Sequence, residues 1–233
     1  MAQSIADRDA LIDSHDVVFL LDCDNTLLDN DAVLEDLRDH LARECGVATR
    51  DRYWAMFEDL RRELGYADYL GALQRYRLAN QTDTRLLLMS SFLVDYPFHA
   101  RLYPGALAVL GHLATFGPTV ILSDGDAVFQ PRKIQRSGLW EAVEGRVLIF
   151  IHKEEMLDAV VAAYPARHYV MIDDKLRILA RIKGVWGGRV TTVFPRQGHY
   201  ARDASILAAY PAADVTVGRI GDLLEVGRRQ LGV

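Results

Sequence analysis

The chain runs to 233 residues, of which 50% are hydrophobic, 25% charged and 9% aromatic. That is enough for one sizeable core with a small satellite, and it excludes collagen-like, low-complexity and mostly disordered readings. Lys and Arg number 27 against 32 Asp and Glu, a net charge of -5, so no global basic field recruits nucleic acid or an acidic membrane surface.

Two cysteines, Cys23 and Cys45, are too few for a disulfide scaffold and fit a reducing cytoplasm. The segment Met1 to Asp16 is polar without an apolar signal core, and no apolar run approaches the ~18 to 20 residues that span a bilayer. The expectation is a soluble cytoplasmic protein with no membrane partner.

In chain order, the first strong signal is the apolar run Val17 to Leu21, which stops at Asp22-Cys23-Asp24-Asn25-Thr26. A short run apolar at every position suits a parallel strand buried on both faces. Similar runs follow at Thr119–Leu122 before Ser123-Asp124-Gly125, at Val147–Ile151 before His152-Lys153, and at Tyr169–Ile172 before Asp173-Asp174. Two more come at Val190–Phe194 and Asp214–Val217. Helical patterns lie between them at Ala106–Phe116, Asp126–Ser137, Glu154–Tyr164, Lys175–Lys183, Ala201–Ala209 and Ile220–Leu231. Strands alternating with such helices predict βαβ crossovers and an α/β, doubly wound parallel sheet of Rossmann-like type.

Residues 31–98 break the rhythm. Amphipathic stretches at Val33–Glu44, Arg52–Leu64, Tyr69–Leu78 and Thr84–Val94 occur there without a buried strand, which predicts an α-helical insertion, a cap, between a core of residues 1–30 and 99–233. Pro104-Gly105 marks the return to the sheet.

Ligands of an open parallel sheet sit beyond the carboxyl ends of its strands. That rim collects Asp22, Asp24, Ser123, Lys153, Asp173 and Asp174. Carboxylates so gathered repel one another unless a cation holds them, and an all-oxygen set favours Mg²⁺. Mg²⁺ and Lys153 together suit a phosphoryl group. Asp22, on a stiff strand end, is the candidate nucleophile, and Asp24 the candidate acid and base. Ser123 and backbone N–H groups near Cys23, Asp24 and Asp124-Gly125 are candidates to bind the phosphate, and Thr26 to pin the loop.

Asp22-Cys23-Asp24-Asn25-Thr26-Leu27, Ser123 after an apolar strand, Lys153, and the pair Asp173-Asp174 resemble motifs I to IV of the haloacid dehalogenase (HAD) superfamily of aspartate-nucleophile phosphotransferases. The resemblance spans nearly the whole chain in order. It implies a Rossmann-like core, Mg²⁺ dependence and a helical cap inserted after motif I. It also implies that Asp22 is the nucleophile, that Asp24 is the acid/base whose backbone carbonyl meets the metal, and that Ser123 binds phosphate. Lys153 would neutralise charge, Asp174 would bind metal, and Asp173 would assist directly or through water. The resemblance also implies that a carboxylate at position 24 speaks against the haloacid-cleaving branch, which lacks it, and favours the phosphatase reading. Departures from the pattern are Asp124 where Asn commonly follows the hydroxyl residue, Glu154 where Pro is frequent after the lysine, and Lys175 directly after the acidic pair. Asp124 must point away, pair with a cation or be protonated; Lys175 either neutralises the acids or points outward.

The chain has only four lysines, Lys133, Lys153, Lys175 and Lys183, so Lys153 at a strand end is read as functional. Lys133, in mid-helix, is read as solvated, and His152 as structural or exposed. In the insertion, Tyr53, Trp54, Phe57, Tyr66, Tyr69, Tyr76, Phe92, Tyr96 and Phe98 are read as core, and its nine arginines as a solvated face. The expected function is a Mg²⁺-dependent phosphomonoester hydrolase acting on a small phosphorylated metabolite through an aspartyl phosphate. A phosphomutase with the same residues, and a catalytically quiet protein that binds a phosphorylated ligand, stay open as alternatives.

Overall fold

The computed structural model describes residues 15–233; the polar segment expected at Met1 to Asp16 lies outside the described residues up to position 14. Six parallel strands form one sheet: β1 (His15–Leu21), β2 (Thr119–Asp124), β3 (Val147–Phe150), β4 (Ala166–Ile172), β5 (Val190–Pro195) and β6 (Val215–Val217), in the order β3-β2-β1-β4-β5-β6. The predicted doubly wound architecture is therefore present. The order reverses beside β1, so β1 lies between β2 and β4, with Leu21 opposite both Ile121 and Ile172. That register delivers residues 22, 123 and 173 to one rim although they are far apart in sequence.

The uniform apolarity of β1 follows from layers on both faces. Phe19 and Leu21 belong to one buried cluster, Val18 and Leu20 to the other. The first layer includes α5 (Ala106–Ala114), α6 (Phe129–Arg136) and the short α7 (Leu139–Ala142); the second includes α8 (Leu157–Ala163) and α9 (Leu176–Trp186). β3 differs from the fully buried run predicted at Val147–Ile151. It is an edge strand, half-buried throughout, and it ends at Phe150 with Ile151 exposed.

The insertion is helical as predicted: α1 (Asn30–His40), running into a π-turn at Leu41–Cys45, then α2 (Val47–Leu64), α3 (Tyr69–Ala79) and α4 (Leu86–Asp95). Its entry and exit are stitched together, because Asp29 N–H donates to Arg101 O at 2.8 Å and Tyr103 N–H to Leu27 O at 2.9 Å. Six of its nine aromatics are core as read, whereas Trp54 and Phe92 are half-buried against the cluster of Phe19 and Leu21, and Tyr66 lines a cleft. Tyr53, Phe57, Tyr69, Tyr76, Tyr96 and Phe98 are buried, and Tyr69 and Phe98 meet Phe129 of α6 at centroid distances of 5.0 and 5.7 Å. One apolar cluster therefore runs from the insertion into the sheet layer without a break.

Three predicted helices are shortened by local chemistry, and a fourth does not form. α6 starts at Phe129, not Asp126, because Asp126 Oδ1 accepts from the N–H groups of Val128 and Phe129 and caps the helix. Lys153–Glu155 forms a 3₁₀ turn, so α8 starts only at Leu157. Asp203 caps α10 (Ala204–Ala209) through Ser205 and Ile206, cutting the expected Ala201–Ala209. Ile220–Leu231 is no helix; it forms two 3₁₀ turns, Ile220–Glu225 and Arg228–Leu231, interrupted by extended Val226 and Gly227.

Leu20 is fully buried in β1. Leu20→Ala should lower unfolding free energy by about 2 to 5 kcal/mol, the usual cost of such a cavity, measured by urea denaturation against wild type.

Candidate active site

Asp22 follows the last residue of β1 and is held there by its own N–H, which donates to Ile172 O at 2.9 Å. Lys153, in the turn after β3, is fully buried and reaches across the strand ends: its Nζ lies 2.5 Å from Asp22 Oδ1, 2.7 Å from Asp173 Oδ2 and 3.1 Å from Leu122 O. Asp22, Asp173 and Asp174 each offer a carboxylate oxygen within 4.8 Å of the others. Among the described residues, Asp22 Oδ2 and both oxygens of Asp174 are buried without a hydrogen-bond partner.

Electrostatics follow from that crowding. Burial pushes the Asp173 carboxyl up to about 6 against the pull of Lys153, with Asp22 adding to the rise. Burial likewise raises Asp174 well above the ordinary carboxylate range, Lys175 opposing. Burial works against the Lys153 charge, yet Asp173 and Asp22 outweigh it and hold the ammonium well above the usual lysine value. Lys175 is raised in the same way, with Asp174 and Asp22 overcoming its desolvation. The Lys175 side chain lines the cleft, its ammonium 5.6 Å from the Tyr200 ring centroid, while the acids supply its counter-charge. A buried set of converging hard oxygen ligands, several of them unpartnered, fits a Mg²⁺-sized cation held by Asp22, Asp173 and Asp174.

The loop between β1 and α1 is set by polar contacts. Asn25 has a left-handed backbone (φ 59°), held by its side chain: Oδ1 accepts from Asn30 and Asp31 N–H, and Nδ2 donates to Asp31 Oδ1. Thr26 pins the loop as expected, its Oγ1 accepting from Asp174 N–H at 3.0 Å and joining the two acidic motifs. Among the described residues, no backbone acceptor takes up the N–H groups of Cys23 and Asp24. The buried Cys23 thiol is raised well above its usual value by desolvation and by Asp24, which leaves it unsuited to be a nucleophile.

Several assignments change. Lys133, expected in solvent, is fully buried; its Nζ donates to Asp24 Oδ1 and Oδ2 at 2.7 and 2.9 Å and to Asn30 Oδ1 at 2.9 Å. Its helix turns Phe129, Gln130, Lys133, Ile134 and Ser137 inward, so the position shares the apolar face. The Asp24 side chain accordingly lies outside the carboxylate cluster and lines the cleft instead. Gln130, which the sequence reading passed over, donates from Nε2 to Ser123 Oγ at 2.9 Å and approaches Asp24 Oδ2 at 3.4 Å. The only sequence signal for it was its spacing of three from Lys133. Asp124 does not face the acids as a bare charge: its Oδ1 accepts from Lys153 N–H at 2.7 Å, and burial raises its carboxyl while Lys153 opposes. The Gly125 amide, a candidate phosphate donor, is already committed to Phe150 O at 2.9 Å; a Cβ at Gly125 would sit 2.6 Å from the Gln130 side chain, so glycine makes room for that residue. Glu154 pairs with Arg177 at 2.5 Å.

Beyond Asp24 lies a cleft of about 260 Å³ between the insertion and the sheet rim. Arg61, Tyr66 and Tyr69 of the insertion line it on one side; Gln130, His152 and Tyr200 line it on the other. Arg61 Nη2 donates to the Tyr200 hydroxyl at 3.2 Å across it.

Residues 17–180 match the family model for haloacid dehalogenase-like hydrolases. The chain belongs to that family. A crystal structure from Burkholderia xenovorans LB400 given as a haloacid dehalogenase-like hydrolase is 71% identical, with 91% of this chain and 99% of that one covered and a TM-score of 0.88. The HAD-hydrolase YfnB of Bacillus subtilis, bound to magnesium, is 17% identical over 91% of this chain and 98% of its own, TM-score 0.61. The L-2-haloacid dehalogenase of Xanthobacter autotrophicus is 17% identical over 91% and 97%, TM-score 0.56. At those two identities the likeness is one of fold. None of the curated proteins compared matches this chain. No helix among the described residues is long and apolar enough to cross a membrane.

This haloacid dehalogenase-like site makes a pH-dependent demand on stability. Asp174 titrates higher in the fold than the roughly 3.9 of an unfolded aspartate, so folding takes up a proton there and the contribution of this one carboxyl to stability falls as pH rises above about 4. With chelator present, Asp174→Asn should be more stable than wild type, by a margin that widens between pH 4.5 and 7.5 in urea unfolding.

Proposed function

We propose that this haloacid dehalogenase-like hydrolase is a Mg²⁺-dependent phosphomonoester hydrolase, acting on a small phosphorylated metabolite through an aspartyl phosphate on Asp22. In this reading residues 31–98 serve as the cap over a core of residues 1–30 and 99–233, and the enzyme works in the reducing cytoplasm, where its free Cys23 and Cys45 stay thiols. The observation that carries the reading is the set of buried, unpartnered oxygens on Asp22 and Asp174 beside Asp173. A haloacid needs no such cation-binding set, whereas a phosphate dianion does.

When bound at Asp22, Asp173 and Asp174, Mg²⁺ would offset phosphate charge and polarise the phosphoryl group. Asp22 attacks phosphorus and the bond to the leaving oxygen breaks, that oxygen taking a proton from Asp24. Water then attacks the aspartyl phosphate, giving its proton to Asp24, and Asp22 and inorganic phosphate are released. Lys153 offsets charge on Asp22 and the phosphoryl oxygens. The Ser123 hydroxyl and the N–H groups of Cys23 and Asp24 supply hydrogen bonds to the non-bridging oxygens. The leaving group occupies the cleft beside Tyr69 and Arg61.

Phosphate release from sugar phosphates, nucleoside monophosphates, phosphoglycolate and an aryl phosphate tests this, with 2-chloropropionate as the haloacid control. Turnover of at least one phosphate ester, lost with chelator and reduced at least about 10³-fold in Asp22→Asn, is expected. Chloride release without phosphate release, or chelator-insensitive turnover, overturns it.

A further inference from the structure

Asp24 is not free to turn. Lys133 Nζ donates to both of its oxygens at 2.7 and 2.9 Å, and Gln130 Nε2 approaches one of them at 3.4 Å. The third acceptor of the ammonium is Asn30 Oδ1 at 2.9 Å, at the first residue of α1. A fully buried ammonium is costly unless its protons are matched by acceptors, and the three acceptors here fix where Lys133 sits. Because Nζ grips both oxygens, the plane of the carboxylate is fixed with it. Lys133 forms its ion pair with Asp24, not with Asp22. Its ammonium lies 5.0 Å from the Phe129 ring centroid, whereas Lys153 occupies the place beside Asp22. Asp24 lines the cleft and Lys133 does not.

We infer that Lys133 is a positioning residue for Asp24: it acts through the carboxylate, fixing which way Asp24 presents an oxygen to the leaving-group side of the cleft, and touches no substrate atom. The inference rests on the phosphatase reading above. In the step it serves, the bond from phosphorus to the ester oxygen breaks, the proton on Asp24 moves to that oxygen, and Lys133 keeps its own protons. Misorientation of a proton donor is felt in proportion to how much the leaving group needs the proton. An alkoxide needs it; a nitrophenolate does not.

The experiment compares kcat on p-nitrophenyl phosphate with kcat on the best alkyl monoester of the panel. Lys133→Met should lose about 100-fold or more on the alkyl ester, and at least about tenfold less on the aryl ester, with KM moving less than kcat. Lys133→Gln should show the same bias, as should Asn30→Ala to a smaller degree. Asp24→Asn supplies the reference pattern, and urea unfolding verifies that each variant is folded. If the buried-site Met variant does not fold, the Gln and Asn30 variants carry the comparison. Equal losses on the two esters would mean a merely structural role and overturn the inference while the phosphatase reading stands. No loss in Lys133→Gln and Asn30→Ala would also overturn it. A wild-type protein that hydrolyses neither ester overturns the phosphatase reading, and this inference with it.

Discussion

Charge at the rim of β1, β2 and β4 is the constraint on which the rest of the site depends. Three carboxyl groups, Asp22, Asp173 and Asp174, converge within 4.8 Å, and the ammonium groups of Lys153 and Lys175 offset their charge. Fully ionised, that set carries one excess negative charge; a bound phosphate dianion would bring the excess to three, in a buried place where unpaired charge is costly. A divalent cation returns the balance to one. The protein alone can relieve the repulsion only by keeping protons on Asp173 and Asp174, and both groups are raised as that predicts.

The sheet makes such convergence affordable by being stiff. Asp22 and Lys153 lie 131 residues apart in sequence, and Thr26 and Asp174 lie 148 apart, yet each pair meets because β1 is hydrogen-bonded to β2 on one side and β4 on the other. The Thr26 hydroxyl then ties the two acidic motifs directly. Gln197 adds a second tie, donating to the carbonyls of Asn25 and Thr26 at 3.3 and 3.0 Å while accepting from Ile220 N–H. Loop geometry beside Asp22 is therefore fixed from later segments of chain, by Asp174 and Gln197 directly and by Ile220 through Gln197.

What could be read in the sequence was what period and strand ends control. Apolar runs gave the strands, their terminal polar residues gave Asp22, Ser123, Lys153, Asp173 and Asp174, and loss of strand signal marked the insertion. Helix ends were less legible, because Asp126 and Asp203 act as caps inside stretches whose apolar period alone suggested continuous helix. The Ile220–Leu231 segment has helical spacing but forms 3₁₀ turns around an extended Val226 and Gly227. Lys133 departs from expectation for a related reason. Its charge suggests solvent, but its helix phase places it with Phe129, Ile134 and Ser137 on the buried face. Gln130 carries no charge to draw notice, and only the fold brings it to Ser123. Asp124 illustrates the converse: a residue that looks adverse beside phosphate is absorbed because the Lys153 amide needs an acceptor.

Helix α6 links these levels. Its inner face carries Gln130 and Lys133 to Ser123 and Asp24, while Phe129 packs into the aromatic core of the insertion. Arg132 and Arg136 on the same helix donate to the carbonyls of Val94, Asp95 and Tyr96, where α4 ends. The helix that brings Gln130 and Lys133 to Asp24 is thereby fastened to the insertion, whose Arg61, Tyr66 and Tyr69 line the cleft. Helix α1 is bound into the same arrangement, since its first residue, Asn30, is the third acceptor of Lys133. Any displacement of the insertion relative to the sheet must therefore strain or exchange contacts at Asn30, Phe129 and Arg136, and the carboxylate of Asp24 sits two hydrogen bonds from the first of them, through Lys133 Nζ. The continuous apolar cluster opposes such displacement by requiring buried aromatic surface to slide rather than separate, so the insertion's position and the orientation of Asp24 are set by one and the same packing.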